Sequence, residues 1–238
     1  MLTYSVGIQN RIARVFMINP SQKHFSLTIL DSFVRDQLKG FSDDLEGQLK
    51  IDGLSHTLHF VLLELVRNAV KANLKRVFFQ QHKYNIHDTD AYHRGLKDFI
   101  QHYQNINESD YRSALEELNF HVEVRSDLNK DRLLIFVENN SLLHAEEELR
   151  IRRQLAASAG IKNIVNFSVE YGDETEGRGL GLAMIVLLIR DMGFDPEHFR
   201  VYHTDGKTTA RIEFPLSANY IPLRERYERE MEMKSRNE

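Results

Sequence analysis

The sequence predicts an α+β protein, a two-layer α/β sandwich with helices on one face of a mixed, mostly antiparallel sheet. Three observations predict it. Apolar residues recur at helical spacing over residues 54–79, then alternate with polar ones over residues 120–137. Two segments carry turn chemistry between alternating runs, Asp127 to Lys130 and Asp205-Gly206, as β-hairpins do. Only 4 prolines and 12 glycines interrupt 238 residues, which leaves room for long helices.

Taken in order, a helix is expected near Leu27 to Lys39, where Leu27, Ile29, Leu30, Phe33 and Leu38 share roughly one face. Gly40 is expected to stop it, and Gly47 to Ile51 reads as a short strand. Leu58, Val61, Leu62, Leu65, Val66, Ala69 and Val70 define a long core helix from Leu54 to about Phe79, with one polar stripe. Residues 84–118 are polar and helical in pattern, with Ser109 as an N-cap for the second helix of that stretch. Phe120, Val122 and Val124, then Leu133, Ile135 and Val137, form the first hairpin. Ala145 to Ala157 is a charged helix. Gly177 to Gly181 is a glycine-rich turn that enters an apolar helix, Leu182 to Met192, closed by Gly193. Phe199 to His203 and Thr209 to Phe214 pair across Asp205-Gly206, and a charged tail follows Pro222 as a solvated helix.

Composition removes several function classes. With 31 Lys+Arg against 35 Asp+Glu, the net charge of −4 argues against a general nucleic-acid binder. No cysteine is present, so disulfides, thiolate metal sites and cysteine nucleophiles are excluded. The longest apolar run, Leu182 to Ile189, is far short of the ~20 residues that span a bilayer. The first residues lack the pattern of a secretory signal, so a cytoplasmic protein is expected.

Three clusters can carry chemistry. Glu64, Asn68 and Lys71 stand at i, i+4 and i+7 on one helical face. A carboxylate, an amide and an ammonium in one stripe suit Mg²⁺ with its waters and a phosphate chain, although an ordinary exposed stripe looks the same. Gly177, Arg178, Gly179, Leu180 and Gly181 let a backbone approach an anion at a helix start. The alternative is a flexible loop. Glu138, Asn139, Asn140 and Ser141 end a strand with polar groups that suit either a base edge or a turn.

In this order, the clusters resemble the histidine-kinase-like ATPases shared by sensor histidine kinases, gyrase, mismatch-repair ATPases and one chaperone class. ELVRNAVKAN looks like their asparagine box, GRGLGLAMI like their glycine box, and TTARIEFPL like their last strand. The resemblance covers residues 46–217 and is closest to the sensor-kinase catalytic domain. It implies a Bergerat-type ATP-binding fold, preceded by an N-terminal helical segment at 1–45, interrupted by a helical insertion at about 84–118, and followed by a charged tail at 218–238. It implies ATP and Mg²⁺ as ligands. By that resemblance Asn68 coordinates Mg²⁺, Lys71 contacts phosphate and Glu64 orients or activates water. Gly177 to Gly181 wrap the triphosphate, Thr208 lies near the adenine, and residues 141–176 form a lid.

Two departures stand out. The family's adenine-reading Asp-x-Gly is Asn139-Asn140-Ser141 here, an uncharged acceptor in place of a charged one. The phosphoacceptor motif of sensor kinases is missing. His24, the histidine upstream of the core, lacks its acidic neighbour and Thr-Pro. His56 and His59 read as partly buried polar residues. The spacing of His82, His87, His93 and His102 does not suit a metal site. The expected function is therefore γ-phosphate transfer to a protein acceptor in a signalling pathway. An ATP-hydrolysing conformational switch and a non-catalytic nucleotide-binding or scaffold module are the alternatives. The expected partners are ATP and a protein acceptor or signalling partner, with a homodimer possible by family habit and no nucleic acid or membrane span. The insertion reads either as a structural decoration or as a docking surface.

Overall fold

A computed structural model describes residues 14–19, 22–160 and 180–235. Its strands are β1 (Arg14–Asn19), β2 (Gln22–Leu27), β3 (Val122–Leu128), β4 (Arg132–Asn139), β5 (Phe199–Thr204) and β6 (Lys207–Pro215). They form one six-stranded sheet in the order β1-β2-β3-β4-β6-β5. Every described pairing is antiparallel, so the expected mixed sheet is corrected to a wholly antiparallel one. Three tight hairpins supply β1–β2, β3–β4 and β5–β6, and short connections force antiparallel neighbours. The β5–β6 turn falls at Asp205-Gly206, with φ of 50° and 78°, as a type I′ turn requires.

The helices are α1 (Ser32–Leu49), α2 (Leu54–Gln81), α3 (Thr89–Tyr103), α4 (Arg112–Glu117), α5 (Ala145–Ala159), α6 (Leu180–Asp191) and α7 (Leu223–Ser235). The fold is α+β. α2 crosses the sheet at β3 and β4, with Leu58, Leu62, Val66 and Val70 fully buried against Val124, Ile135 and Ile212. α1 packs along α2, and α6 packs on α5 and α2.

The N-terminal part differs from the sequence reading. The described residues before Leu27 form strands, not part of a helical segment, and the helix begins only at Ser32, capped by Asp31. Leu27 alternates with Phe25 toward the core of a strand, and their spacing to Ile29 and Leu30 only mimics a helix. Gly40 does not stop α1. Phe41 and Leu45 beyond it are buried, and that packing outweighs the ~1 kcal/mol helix penalty of glycine. The strand expected at Gly47 to Ile51 is instead the last turn of α1, ended by Lys50 at φ 55°. Glu46 then accepts the Ser55 backbone N–H at 2.6 Å and so caps α2, whose own cap residue is Gly53.

The residues 84–118 are helical as expected, and their inner face is core. Tyr92 and Phe99 of α3 and Leu115 of α4 are buried against Phe78 and Phe79 of α2. Asn107, not Ser109, caps the short 3-10 turn there, accepting the Ser109 N–H at 3.2 Å. The predicted tail helix is α7, exposed along its length. Among the described residues no helix is long and apolar enough to cross a membrane.

Two glycines test this packing in opposite directions. A Cβ at Gly95 of α3 would lie 2.8 Å from the rings of Phe79 and Tyr84, while a Cβ at Gly40 meets nothing within 4 Å. Gly95→Ala is expected to destabilise the protein by about 1–3 kcal/mol in urea unfolding. Gly40→Ala is expected to stabilise it by up to about 1 kcal/mol. Equal midpoints for the two variants would contradict the packing described.

Candidate functional site

A cleft of ≈ 170 Å³ opens between α2, β4, β6, α5 and the start of α6. Six of the residues singled out in the sequence line it: Glu64, Asn68, Lys71, Asn139, Gly181 and Thr208. Its apolar lining includes Leu65, Ala69, Val137, Leu182, Val201 and Ala210. Its polar groups fall into two sets, one around Glu64 on α2 and one around Asn139 on β4, whose amide is bonded to Asn73 behind the cleft wall.

In the first set, Glu64 pairs with Arg67 at 2.6 Å and accepts a long 3.4 Å bond from the Asn68 amide. The Asn68 amide is thus turned to Glu64, which leaves its oxygen for another partner. Gly181 is close by. A Cβ there would fall 2.0 Å from Glu64 Oε1, so any larger residue would make the Glu64 side chain move. The Lys71 ammonium lies 5.2 Å from the centre of the Tyr103 ring. Tyr103 closes α3 and donates to Glu108 at 3.2 Å. Burial first, then the Glu108 charge, pushes its hydroxyl above the usual tyrosine range. The insertion therefore reaches the cleft beside the expected phosphate-contacting lysine.

In the second set, Asn139 pairs with Thr208 across β4 and β6. Thr208 donates to the Ser141 carbonyl at 2.8 Å. Ser141 is buried and Asn140 faces the β3 side, where its Oδ1 accepts the His121 N–H at 2.8 Å and its Nδ2 donates to the Asn119 carbonyl at 2.6 Å. Neither Asn140 nor Ser141 is among the cleft-lining residues. Their hydrogen bonds hold the strand end. Leu180 opens α6 beside the cleft without being one of its lining residues, and Gly177, Arg178 and Gly179 lie outside the described residues. His24 sits in mid-strand on β2, opposite Arg125, rather than on a helical hairpin.

Sequence reasoning missed the α5 wall. Residues 141–176 were expected as a lid, and their first helix contributes Glu147, Arg150, Ile151 and Gln154 to the cleft. Those positions are i, i+3, i+4 and i+7, one helical face. Glu147 fixes this helix. It meets Lys75 at 2.5 Å and Arg76 at 2.7 Å, accepts from the Tyr92 hydroxyl at 3.2 Å, and caps the His144 N–H at 2.9 Å. The His144 ring stacks on Tyr92 at 3.9 Å. Lys75 and Glu147 side chains are both 5% exposed, so this is a buried charge cluster joining α2, α3 and α5. Burial alone would push the Glu147 carboxyl up, but the Lys75 and Arg76 charges overcome it and hold it well below the usual range near 4.5.

Among the described residues, no group of three or more His, Asp or Glu side chains could hold a metal ion by itself. A magnesium ion that arrives with phosphate oxygens and water needs less from the protein, and the Asn68 oxygen fits that donor set.

The comparisons with known proteins are sparse. No family model matches the chain, and no solved structure matches it. It is similar to an uncharacterized protein of Treponema pallidum (strain Nichols), 28% identical over 173 residues, which are 72% of this chain and 33% of that protein. The chain thus spans about a third of the length of the curated relative it matches.

The Glu147 cluster makes stability depend on pH with a defined sign. A carboxyl whose folded pKa is depressed contributes stability that is present above the unfolded pKa near 4.5 and lost as the pH falls below it. Glu147→Gln is expected to lower stability at neutral pH by about 3 kcal/mol, because it leaves Lys75 and Arg76 without their counter-charge. Urea unfolding at pH 7, 4.5 and 3 should show a shallower acid loss for the variant than for the wild type. Parallel losses would rule out Glu147 as the source.

Proposed function

We propose that this chain is an ATP–Mg²⁺-binding catalytic module of the histidine-kinase-like ATPase class, with a Bergerat-type fold, that transfers a γ-phosphate to an acceptor on another protein. One observation carries the reading. Residues chosen from four separate sequence motifs line a single cleft, with Glu64, Asn68 and Lys71 from α2, Asn139 from β4, Gly181 from α6 and Thr208 from β6. A chance set of turn and surface residues has no reason to converge in this way.

The chemistry of the cleft supports the same reading. Its apolar lining suits a flat ring, and its polar groups suit a base edge and a phosphate chain. The carboxylate of Glu64 is already neutralised by Arg67, so it does not repel an incoming anion at full charge. Lys71 offers a cation, and the α6 N-terminus offers partial positive charge through its backbone amides. Asn68 would hold Mg²⁺ through its oxygen, and the ion would neutralise charge on the phosphate oxygens. In the transfer itself the γ-phosphorus bond to the ADP oxygen breaks as the bond to the acceptor forms. The protein acts mainly by holding the two groups in line.

A second reading, hydrolysis, is favoured by the position of Glu64. Its carboxylate lies against Gly181 and beside Asn68, where it could take a proton from an attacking water. The third possibility, a non-catalytic module, keeps the same cleft without turnover.

Incubation with γ-labelled ATP and Mg²⁺ separates these. Acid-labile label on the chain, or on an added acceptor, supports transfer. Free phosphate that disappears in Glu64→Gln supports hydrolysis. Asn68→Ala is expected to weaken MgATP binding at least about tenfold, the loss of one metal oxygen. Unchanged MgATP affinity in Asn68→Ala would refute the site.

A further inference from the structure

The asparagine box ends in Asn73, a residue that the proposed function leaves unused. Asn73 is fully buried and lies on α2 directly behind Asn139. Its Nδ2 donates to the His121 backbone carbonyl at 3.1 Å. A carbonyl oxygen can only accept, so this bond fixes which way the Asn73 amide points. Its Oδ1 must therefore face Asn139, and it accepts from Asn139 Nδ2 at 3.2 Å. The second hydrogen of Asn139 Nδ2 goes to Ser141 Oγ at 2.6 Å. Both donors of the Asn139 amide are thus consumed inside the protein, and the residue is only 4% exposed. What it can offer a ligand in the cleft is its Oδ1, an acceptor.

We propose that Asn73 is the specificity-determining positioning residue of this cleft. Through the His121–Asn73–Asn139 chain of hydrogen bonds it locks Asn139 as an acceptor, so that the site selects a base bearing an exocyclic amine. The inference rests on the nucleotide reading above and deepens it. An isolated asparagine can flip its amide, and after a flip it reads a keto oxygen as readily as an amine. The locked one cannot flip without setting Asn139 Oδ1 against Asn73 Oδ1, two buried acceptors facing one another. An aspartate at 139 would lack the hydrogens that Asn73 and Ser141 accept. The lock therefore accounts for Asn139 itself: in this surrounding, asparagine performs the acceptor role without leaving Asn73 Oδ1 unpaired.

The pair that tests this is ATP and inosine triphosphate, which differ at the six-position by an amine against a keto oxygen. Binding of each with Mg²⁺ is measured by calorimetry on the full chain. The wild type is expected to prefer ATP by about tenfold or more, the effect of a mismatched buried polar pair. Asn73→Ala frees the Asn139 amide to turn, and the preference is expected to fall toward one, with inosine triphosphate binding as tightly as in the wild type or tighter. Asn73→Asp still presents an acceptor to Asn139 and is expected to keep most of the preference, although it loses the bond to His121. A purely structural Asn73 would weaken both nucleotides together and leave their ratio unchanged, which would overturn the proposal. Equal affinity of the wild type for the two nucleotides would overturn it without any variant. If the wild type binds neither, the nucleotide reading falls, and this inference falls with it.

Discussion

The structure depends on one constraint, that α2 must bury an apolar face on the sheet and still carry a polar stripe along its edge. The helix runs for 28 residues, and its core side is sealed by Leu58, Leu62, Val66, Val70 and Leu74, none of them exposed. At ~25 cal/mol per Å² of apolar surface, that stripe of aliphatic side chains holds the helix firmly in register against β3 and β4. Because it is held, Glu64, Asn68, Lys71 and Lys75 point where the cleft is. A one-residue rotation of the helix, 100° about its axis, would carry the polar stripe into the core.

The second wall of the cleft has a different origin. α5 has no comparable apolar face, and its buried members are Glu147 and Ser158. Beside its packing on α6, a charged contact fixes its start. Glu147 meets two cations, a hydroxyl and a backbone N–H, so its lone pairs are satisfied in a buried place. Such a cluster adds less net stability than an apolar contact of the same size, but it is strongly directional. It fixes where α5 starts and therefore where Arg150, Ile151 and Gln154 stand. The expected lid thus has a firmly anchored beginning, tied to α2 and to Tyr92 of the insertion.

Much of this was legible in the sequence where the signal is local. The hairpin β3–β4, the turn at Asp205-Gly206, α2 and α6 follow from periodicity and turn residues within one element. What was missed depends on distant partners. Three consecutive glutamates, Glu146 to Glu148, read as first-turn helix acids, and only Lys75 and Arg76 from α2 single out Glu147 for burial. Gly40 has the residue type of a helix stop, and only the buried Phe41 and Leu45 carry α1 past it. In β2 just Phe25 and Leu27 face the core, too short an alternation to outweigh the helical spacing that runs on through Leu30. Of the candidate site residues, Glu64, Asn68, Lys71, Asn139, Gly181 and Thr208 line one cleft. Asn140 and Ser141 do not line it, and a strand end offers the same residue types for a turn as for a ligand.

Residues 84–118 show how packing makes a polar segment part of the core. Once α3 and α4 pack their inner face on Phe78 and Phe79, they are core and cannot be a loose decoration. The end of α3 then falls where Tyr103 meets the Lys71 ammonium, and Arg112 of α4 reaches back to Asp31, the cap of α1, at 2.9 Å. Glu108 joins both ends of this arrangement, accepting from Tyr103 through one oxygen and from the Leu30 backbone N–H at 3.4 Å through the other. A shift of the insertion would therefore move an aromatic ring against Lys71 and disturb the start of α1 together. The Asn139 side of the cleft has its own rigid tie, the amide chain from His121 to Asn139. The two sides are thus tied by different segments, the Lys71 side to the insertion and the Asn139 side to the β3–β4 hairpin.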